Sequence, residues 1–250
     1  MREILKLEKV NKEYGIKGFK TRVLKDISFN VNEGDFIAIM GPSGAGKTTL
    51  LNLISTLDNV SSGRIFIDGI DISKVKNSEL SKIRRDNIGF IFQDYNLLDN
   101  MSLMDNIALP LALGNKKDKN IEEKVVKLSK KFGLKDHLGK YPYELSGGQK
   151  QRGSVVRALI TSPKIIYADE PTGALDTKAS SELLECLSRI NAEEKTTIVM
   201  VTHDAICASY CNKVYILTDG EIKCHIEKGD NRKEFYNRII DLLASLGGAR

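Results

Sequence analysis

No apolar stretch in this sequence approaches the roughly 18 to 20 residues needed to cross a bilayer; the runs at 36–40, 165–168 and 197–201 are far shorter. A membrane-spanning chain is therefore not expected. The first ten residues, MREILKLEKV, interleave charges with apolar side chains and lack the unbroken hydrophobic run of a secretory signal, so the expected location is the cytoplasm. Cysteine is scarce, with four residues, Cys186, Cys207, Cys211 and Cys224, none in CxxC spacing. In a reducing compartment these read as ordinary thiols. His203, Cys207 and Cys211 recur at helical spacing, with Cys224 and His225 beyond, but the paired pattern of a metal site is missing and no metal cluster is expected. There is no concentrated basic patch either: a net charge of +5 is spread over 38 Lys+Arg and 33 Asp+Glu, which favours solubility and argues against a nucleic-acid partner. Internal repeats and long linkers are absent. What is present is size: 250 residues, 41% hydrophobic, enough to bury a core as one large domain, here 1–250, with room for an inserted lobe.

Periodicity changes along the chain. Ile4, Leu7 and Val10, then the alternating Ile27, Phe29 and Val31, read as half-buried strands, and Asp68-Gly69 after RIFI is a hairpin signal. The first third is thus expected to be sheet-rich and partly antiparallel. From Ser102 onward SLMDNIALPLAL, DKNIEEKVVKLSKKFG and SGGQKQRGSVVRALI carry helical periodicity with polar caps or Gly and Pro stops, which predicts a helical insert over about 94–162. After Pro163 strands KIIYAD, TTIVMVT and KVYIL alternate with helices, a turn follows at Asp219-Gly220, and an amphipathic helix ends the chain. Such alternation predicts a mainly parallel sheet with helices on both faces, an α/β fold.

The segment GPSGAGKTT, residues 41–49, fits G-x-x-x-x-G-K-[ST] between the buried strand FIAIM and the helix TTLLNLIS, the context the phosphate-loop motif requires. Gly41, Gly44 and Gly46 let the backbone curl so that successive N–H groups point at phosphate oxygens, and the helix N-terminus adds partial positive charge. Ser43, Ala45 and Thr49 complete the lining. Lys47 is placed to reach β- and γ-phosphates, and the Thr48 hydroxyl to ligate Mg²⁺ between them. A second station, KIIYADEP, ends a buried strand in Asp169 and Glu170 at the sheet edge where α/β proteins bind ligands. Asp169 is expected to hold the metal shell and Glu170 to polarise an attacking water, since hydrolysis needs both charge neutralisation and in-line positioning.

ELSGGQKQR, residues 144–152, just ahead of that acidic strand, resembles the signature motif of ABC ATPases. The resemblance extends from Ile4 to about Lys223 and implies a P-loop NTPase core with an antiparallel β subdomain and an inserted helical subdomain. It implies ATP and Mg²⁺ as cofactors. It also implies a dimer of two copies placed head to tail, in which Ser146, Gly147, Gly148 and Gln149 of one copy close on the γ-phosphate held by the other. Tyr14 resembles the aromatic that stacks on adenine, Gln93 the glutamine that touches Mg²⁺ and the attacking water, Asp176 in TGALD the loop that signals across the dimer, and His203 the histidine that contacts the γ-phosphate. Lys47, Glu170, Gln93 and His203 are then the expected catalytic set, and Thr48, Gln93 and Asp169 the metal ligands. Two departures stand out: Lys150 replaces a second glutamine, and Gly153 and Ser154 occupy positions where larger apolar residues or alanine are usual, which is expected to tune the helix locally.

The stretches around the phosphate loop, IRRDNIGFIFQDYNLLDNMSLMDNIALPL and ADEPTGALD resemble the branch that holds macrolide and antimicrobial-peptide exporters, lipoprotein-releasing ATPases and the cell-division ATPase. That implies a transmembrane permease partner, docking near residues 95–104, and a peripheral place on the inner face of the membrane. Antimicrobial-peptide export or resistance is the favoured role. Lipoprotein or lipid extraction remains open, as does a regulatory ATPase that signals to cell-wall enzymes without transport. A nucleic-acid-associated ATPase is disfavoured, because such relatives carry tandem cassettes or long coiled coils.

Overall fold

The computed structural model describes residues 2–16, 19–114 and 120–247. Strands β1 (Glu3–Ile16) and β2 (Phe19–Asn32) pair antiparallel, and β3 (Phe36–Met40) leads into helix α1 (Lys47–Ile54). β4 (Ser62–Ile67) and β5 (Ile70–Asp71) complete a four-stranded antiparallel sheet in the order β2-β1-β4-β5. Asp68 and Gly69 join these two strands with φ of 49° and 77°, the left-handed pair that an Asp-Gly hairpin turn adopts. Helix α2 (Asn77–Asn87) and strand β6 (Ile88–Ile91) follow, then helices α3 (Leu103–Ala112), α4 (Ile121–Lys131) and α5 (Gly147–Leu159). The remainder alternates: β7 (Ile165–Asp169), α6 (Thr177–Glu194), β8 (Thr197–Thr202), α7 (Ala205–Ala208), β9 (Lys213–Thr218), β10 (Glu221–Glu227) and α8 (Arg232–Gly247). The second sheet has the order β10-β9-β3-β8-β7-β6 and is parallel except at β10. The expected P-loop NTPase architecture is present. The helix expected from Asp118 starts at Ile121, and Asp118 itself lies outside the described residues.

The apolar runs of the central strands have a simple cause. Successive strand residues face opposite ways, and here both faces are covered. Phe36, Ala38 and Met40 of β3 enter one core with Ile166 and Ala168 of β7 and Ile198 and Met200 of β8. Ile37 and Ile39 enter the other with Tyr167, Val199 and Val201. Helices α3 to α8 supply the first core, while β1, β2, β4 and α1 supply the second. Because β3, β7 and β8 run parallel with Met40 level with Thr202 and Asp169 level with Val201, the loops leaving their C-terminal ends start side by side.

Among the elements that escaped the sequence reading are α2 and β10. Among its residues of described burial, α2 (NSELSKIRRDN) buries Leu80 alone, with Ile83 half-buried, so its apolar stripe is too thin to stand out. β10 is an edge strand that alternates exposed and half-buried residues and carries Glu221, Lys223 and Glu227, a charged pattern that blunts a sheet edge. The glycine in α5 also has a more specific reason than local tuning. A Cβ at Gly153 would lie 2.6 Å from Cδ1 of Leu103, so the glycine sets the close approach of α5 to α3. It is kept despite a helix-propensity cost of about 1 kcal/mol relative to alanine. Gly153→Leu is expected to cost about 1 to 3 kcal/mol by overpacking, read as a lower urea midpoint; an unchanged midpoint would mean that α3 can retreat freely.

Candidate active site

The loop between β3 and α1 is shaped by backbone demands. Gly44 and Gly46 sit at φ of 78° and 100°, conformations that a side chain would strain. At Gly41 a Cβ would lie 2.0 Å from the Leu217 carbonyl oxygen, so only glycine fits against β9. Gly46 caps α1 without a side-chain hydrogen bond, which leaves the first-turn N–H groups for an anion. Lys47 turns back into this loop and its Nζ donates to the carbonyls of Gly41, at 2.8 Å, and Pro42, at 2.9 Å. Burial holds its ammonium below the ordinary lysine range, an effect opposed by the charges of Glu170 and Asp169. Ser43 and Thr48 are exposed, Thr49 is half-buried and Ala45 is buried.

β7 delivers the carboxylates. Burial, reinforced by the neighbouring Glu170 and offset by Lys47, raises the Asp169 carboxyl above its usual range. Glu170 adopts φ 45°, uncommon for a residue with a side chain, and its N–H donates to the Val201 carbonyl at 2.9 Å. That bond fixes the turn against β8, and β8 in turn ends beside His203. The His203 Nδ1 lies 2.8 Å from Oε1 and 2.7 Å from Oε2 of Glu170. The imidazole is 70% exposed while the carboxylate is 19% exposed, so the pair presents its histidine side to solvent.

Gln93 leaves β6 in an adjacent loop, exposed, with its side-chain amide against Gly173, where a Cβ would come within 3.1 Å of Cδ. Tyr14, near the end of β1, is 42% exposed. Its hydroxyl donates to Asp58 Oδ2 at 2.7 Å, and the Lys12 ammonium lies 4.7 Å from its ring centroid. A contact with the Thr49 side chain brings it beside the phosphate loop.

The remaining expected residues are held elsewhere. Ser146 caps α5, accepting from the Gln149 N–H at 3.3 Å while Gln149 Oε1 accepts from the Ser146 N–H at 2.9 Å, the reciprocal capping box. Gly147 faces the Tyr95 hydroxyl and Gly148 faces Ala179. Asp176 caps α6, its Oδ1 accepting from the Ala179 N–H at 2.8 Å. The contacts of this second helix terminus are thus with Tyr95, His137 and Ala179 and not with residues 41–49. Lys47, Asp169, Glu170 and His203 converge, whereas the 146–149 turn and Asp176 lie apart from them, at the N-termini of α5 and α6.

The donor set suits a hard divalent ion: a threonine hydroxyl, a carboxylate and an amide carbonyl are all oxygen. Among the described residues no group of three or more His, Cys, Asp and Glu could hold a metal by itself, so the remaining ligands would have to be phosphate oxygens and water. The Asp169 carboxyl, raised by burial and by Glu170 and offset in part by Lys47, belongs to a negative pair that a further cation would settle.

Sequence reasoning missed Gln151. Its side chain is fully buried in α5 and bonds to the loops that carry Gln93 and Glu170. The signal was available: an amide stands in the same helical stripe as Val155 and Ala158, where an apolar residue is expected.

Comparison with known proteins agrees with this geometry. The family model described as ABC transporter matches residues 24–173. The ABC transporter ATP-binding protein YxdL of Bacillus subtilis is 46% identical over 99% of this chain and 96% of its own length. The bacitracin export ATP-binding protein BceA of Halalkalibacterium halodurans is 46% identical over 99% of this chain and 98% of its own. Among solved structures, the dimeric ATP-binding cassette MJ0796 in a post-hydrolysis state with ADP and Pi is similar with a TM-score of 0.82 at 38% identity, covering 90% of this chain and all of that one. A phosphate loop, an acidic strand end and a histidine meeting at one sheet edge, in a chain so matched, place it in the ABC transporter family as one of its ATP-binding, ATP-hydrolysing members.

Proposed function

We propose that the chain hydrolyses ATP as a head-to-tail dimer with a second copy and that this cycle drives a membrane permease which exports antimicrobial peptides or confers resistance to them. The observation that carries the reading is the convergence of Lys47, Asp169, Glu170 and His203 at the C-terminal edge of one parallel sheet. Lys47 would exchange its two carbonyl partners for β- and γ-phosphate oxygens. Glu170, steadied by His203, would accept a proton from the attacking water while the histidine meets the γ-phosphate. Mg²⁺, held by Thr48, Asp169 and Gln93, would supply neutralisation of phosphate charge. The 146–149 turn is a second anion-attracting terminus that its own protomer leaves unused, and a second copy related by a two-fold axis would bring it onto the nucleotide.

Tyr14 would stack on the adenine ring. Tyr14→Ala is expected to weaken nucleotide binding by about 1 to 2 kcal/mol, read by calorimetric titration; an unchanged Kd would mean that the ring merely packs against Lys12.

A groove of about 450 Å³ lies between the sheet and the helical insert, lined by Phe90, Phe92, Leu109, Pro110 and Leu113 with Arg84 at its wall. It takes in Asn96 and adjoins residues 95–104, and its size and apolar lining suit a short permease helix. Peripheral attachment to the inner membrane face through that helix belongs to the same proposal; among the described residues no helix is long and apolar enough to cross a bilayer. The kinship with a bacitracin export protein supports the peptide cargo. The test is to co-purify the chain with its membrane partner and measure ATP turnover against added cyclic peptide antibiotic. Stimulation of several-fold is expected, and turnover indifferent to peptide but responsive to lipoprotein would replace the cargo.

A further inference from the structure

The Gln151 side chain is fully buried on α5. Its Nε2 donates to two main-chain carbonyls, that of Pro171 at 2.5 Å and that of Phe92 at 3.2 Å. Pro171 directly follows Glu170, and Phe92 directly precedes Gln93. One amide nitrogen therefore ties together the backbones that carry the water-polarising carboxylate and the glutamine expected to face it. The orientation of the amide is not arbitrary. Ser154, also fully buried, shares its single hydroxyl proton between Gln151 Oε1 at 3.0 Å and the Gln151 carbonyl at 2.9 Å, and because the two loop carbonyls can only accept, the nitrogen is the atom that faces the loops. Both loops leave paired strands, with Ile91 level with Ala168, but the strand pairing ends there. Beyond that point Gln151 bridges the two loops at their bases, next to Gln93 and Glu170. The departure of Ser154 from an apolar residue thereby acquires a purpose.

The same helix begins at the 146–149 turn and carries Arg157, which donates to the carbonyls of Asn96 and of Tyr95, the latter at 2.8 Å. Tyr95 in turn donates its hydroxyl to the Ala174 carbonyl at 3.3 Å. α5 is thus bonded along one side to the Gln93 loop and to the loop after Glu170. We propose that Gln151 is a positioning residue for hydrolysis: it sets the spacing between Glu170 and Gln93, and it makes that spacing follow the position of the helix whose N-terminus meets the partner copy's nucleotide. Closure of the dimer on ATP would displace α5 and adjust the protomer's own water-polarising pair through a single side-chain amide.

This inference rests on the roles proposed above for Glu170 and Gln93, and the experiment separates the two. ATP turnover and nucleotide affinity are measured for the protein, for Gln151→Met, which keeps the length and removes both donors, and for Ser154→Ala, which frees the amide to rotate. Misplacement of a reacting group by a fraction of an ångström to an ångström is worth about 10- to 100-fold in rate. Gln151→Met is expected to lower kcat by that factor with KM and nucleotide Kd within about twofold, and Ser154→Ala to lower kcat by about threefold. A purely structural amide would lower the melting temperature and leave kcat per folded molecule unchanged, which would overturn the proposal. If Gln151→Met does not fold, Ser154→Ala decides: unchanged kcat overturns, a threefold loss at constant KM supports. Glu170→Gln runs alongside, and full turnover in that variant would overturn the role of Glu170 itself and this inference with it.

Discussion

Glu170→Gln is expected to bind ATP with near-normal affinity while turnover falls by about 10²- to 10⁴-fold, the range a positioned general base supplies. The substitution is close to isosteric. It keeps the main-chain bond to the Val201 carbonyl, and the amide can still meet His203 Nδ1 where the carboxylate now lies at 2.7 to 2.8 Å. The φ of 45° at this position is unaffected in kind, because Gln and Glu share the same backbone preferences. What disappears is the capacity to take a proton. With hydrolysis stalled, the nucleotide-bound dimer should accumulate and elute as a dimer on size exclusion in ATP and Mg²⁺. A variant that stays monomeric under those conditions would remove the support for a nucleotide-sandwiched pair, and one that turns over normally would move the base elsewhere.

Lys47→Met should abolish measurable ATP binding at concentrations that saturate the wild type, a loss of about 100-fold or more. Each hydrogen bond from a charged donor contributes on the order of 1.5 to 3 kcal/mol, and two phosphate contacts compound. Methionine keeps the buried stem, so packing changes little. The free protein loses two hydrogen bonds, one to the carbonyl of buried Gly41 and one to that of exposed Pro42. The electrostatic consequence reaches further. Lys47 is the cation that offsets the burial of Asp169, and without it the carboxylate pair meets the nucleotide's negative charge uncompensated. Fluorescent-nucleotide titration reads the effect directly, and a Kd within threefold of wild type would show that the loop's N–H groups suffice.

Several of the expected site residues are bonded to one another within the protomer. Lys47 lies folded into its loop, His203 is seated on Glu170, and Ser146 and Gln149 are bonded to each other. The 70% exposure of the His203 side chain leaves its ring open to solvent.

Much of this was legible from the chain. FIAIM, IIYAD and TIVMVT are buried throughout or nearly so, and a continuous apolar strand has few other readings than a sheet covered on both faces. Ser102 and Ser146 cap helices where their sequence pattern said they would. The local motif 41–49 names its own geometry, because a curled loop needs glycine wherever φ turns positive. By contrast α2 and β10 carry thin or charged patterns and were invisible, and Gly153 read as a helix adjustment until Leu103 was found against it.

Taken alone, the sequence determined most of the elements, the phosphate loop, the acidic strand end and the family resemblance, because each rests on residues close together in the chain whose backbone and polarity requirements are local. Tertiary structure decided which of them meet. Parallel register put Met40, Asp169 and Thr202 at one edge, so that His203 reached Glu170 across 33 positions of sequence. It also turned Gln151 inward onto two loops distant in sequence. Those outcomes follow from packing between distant segments, and no pattern of neighbouring residues encodes a distance across the fold.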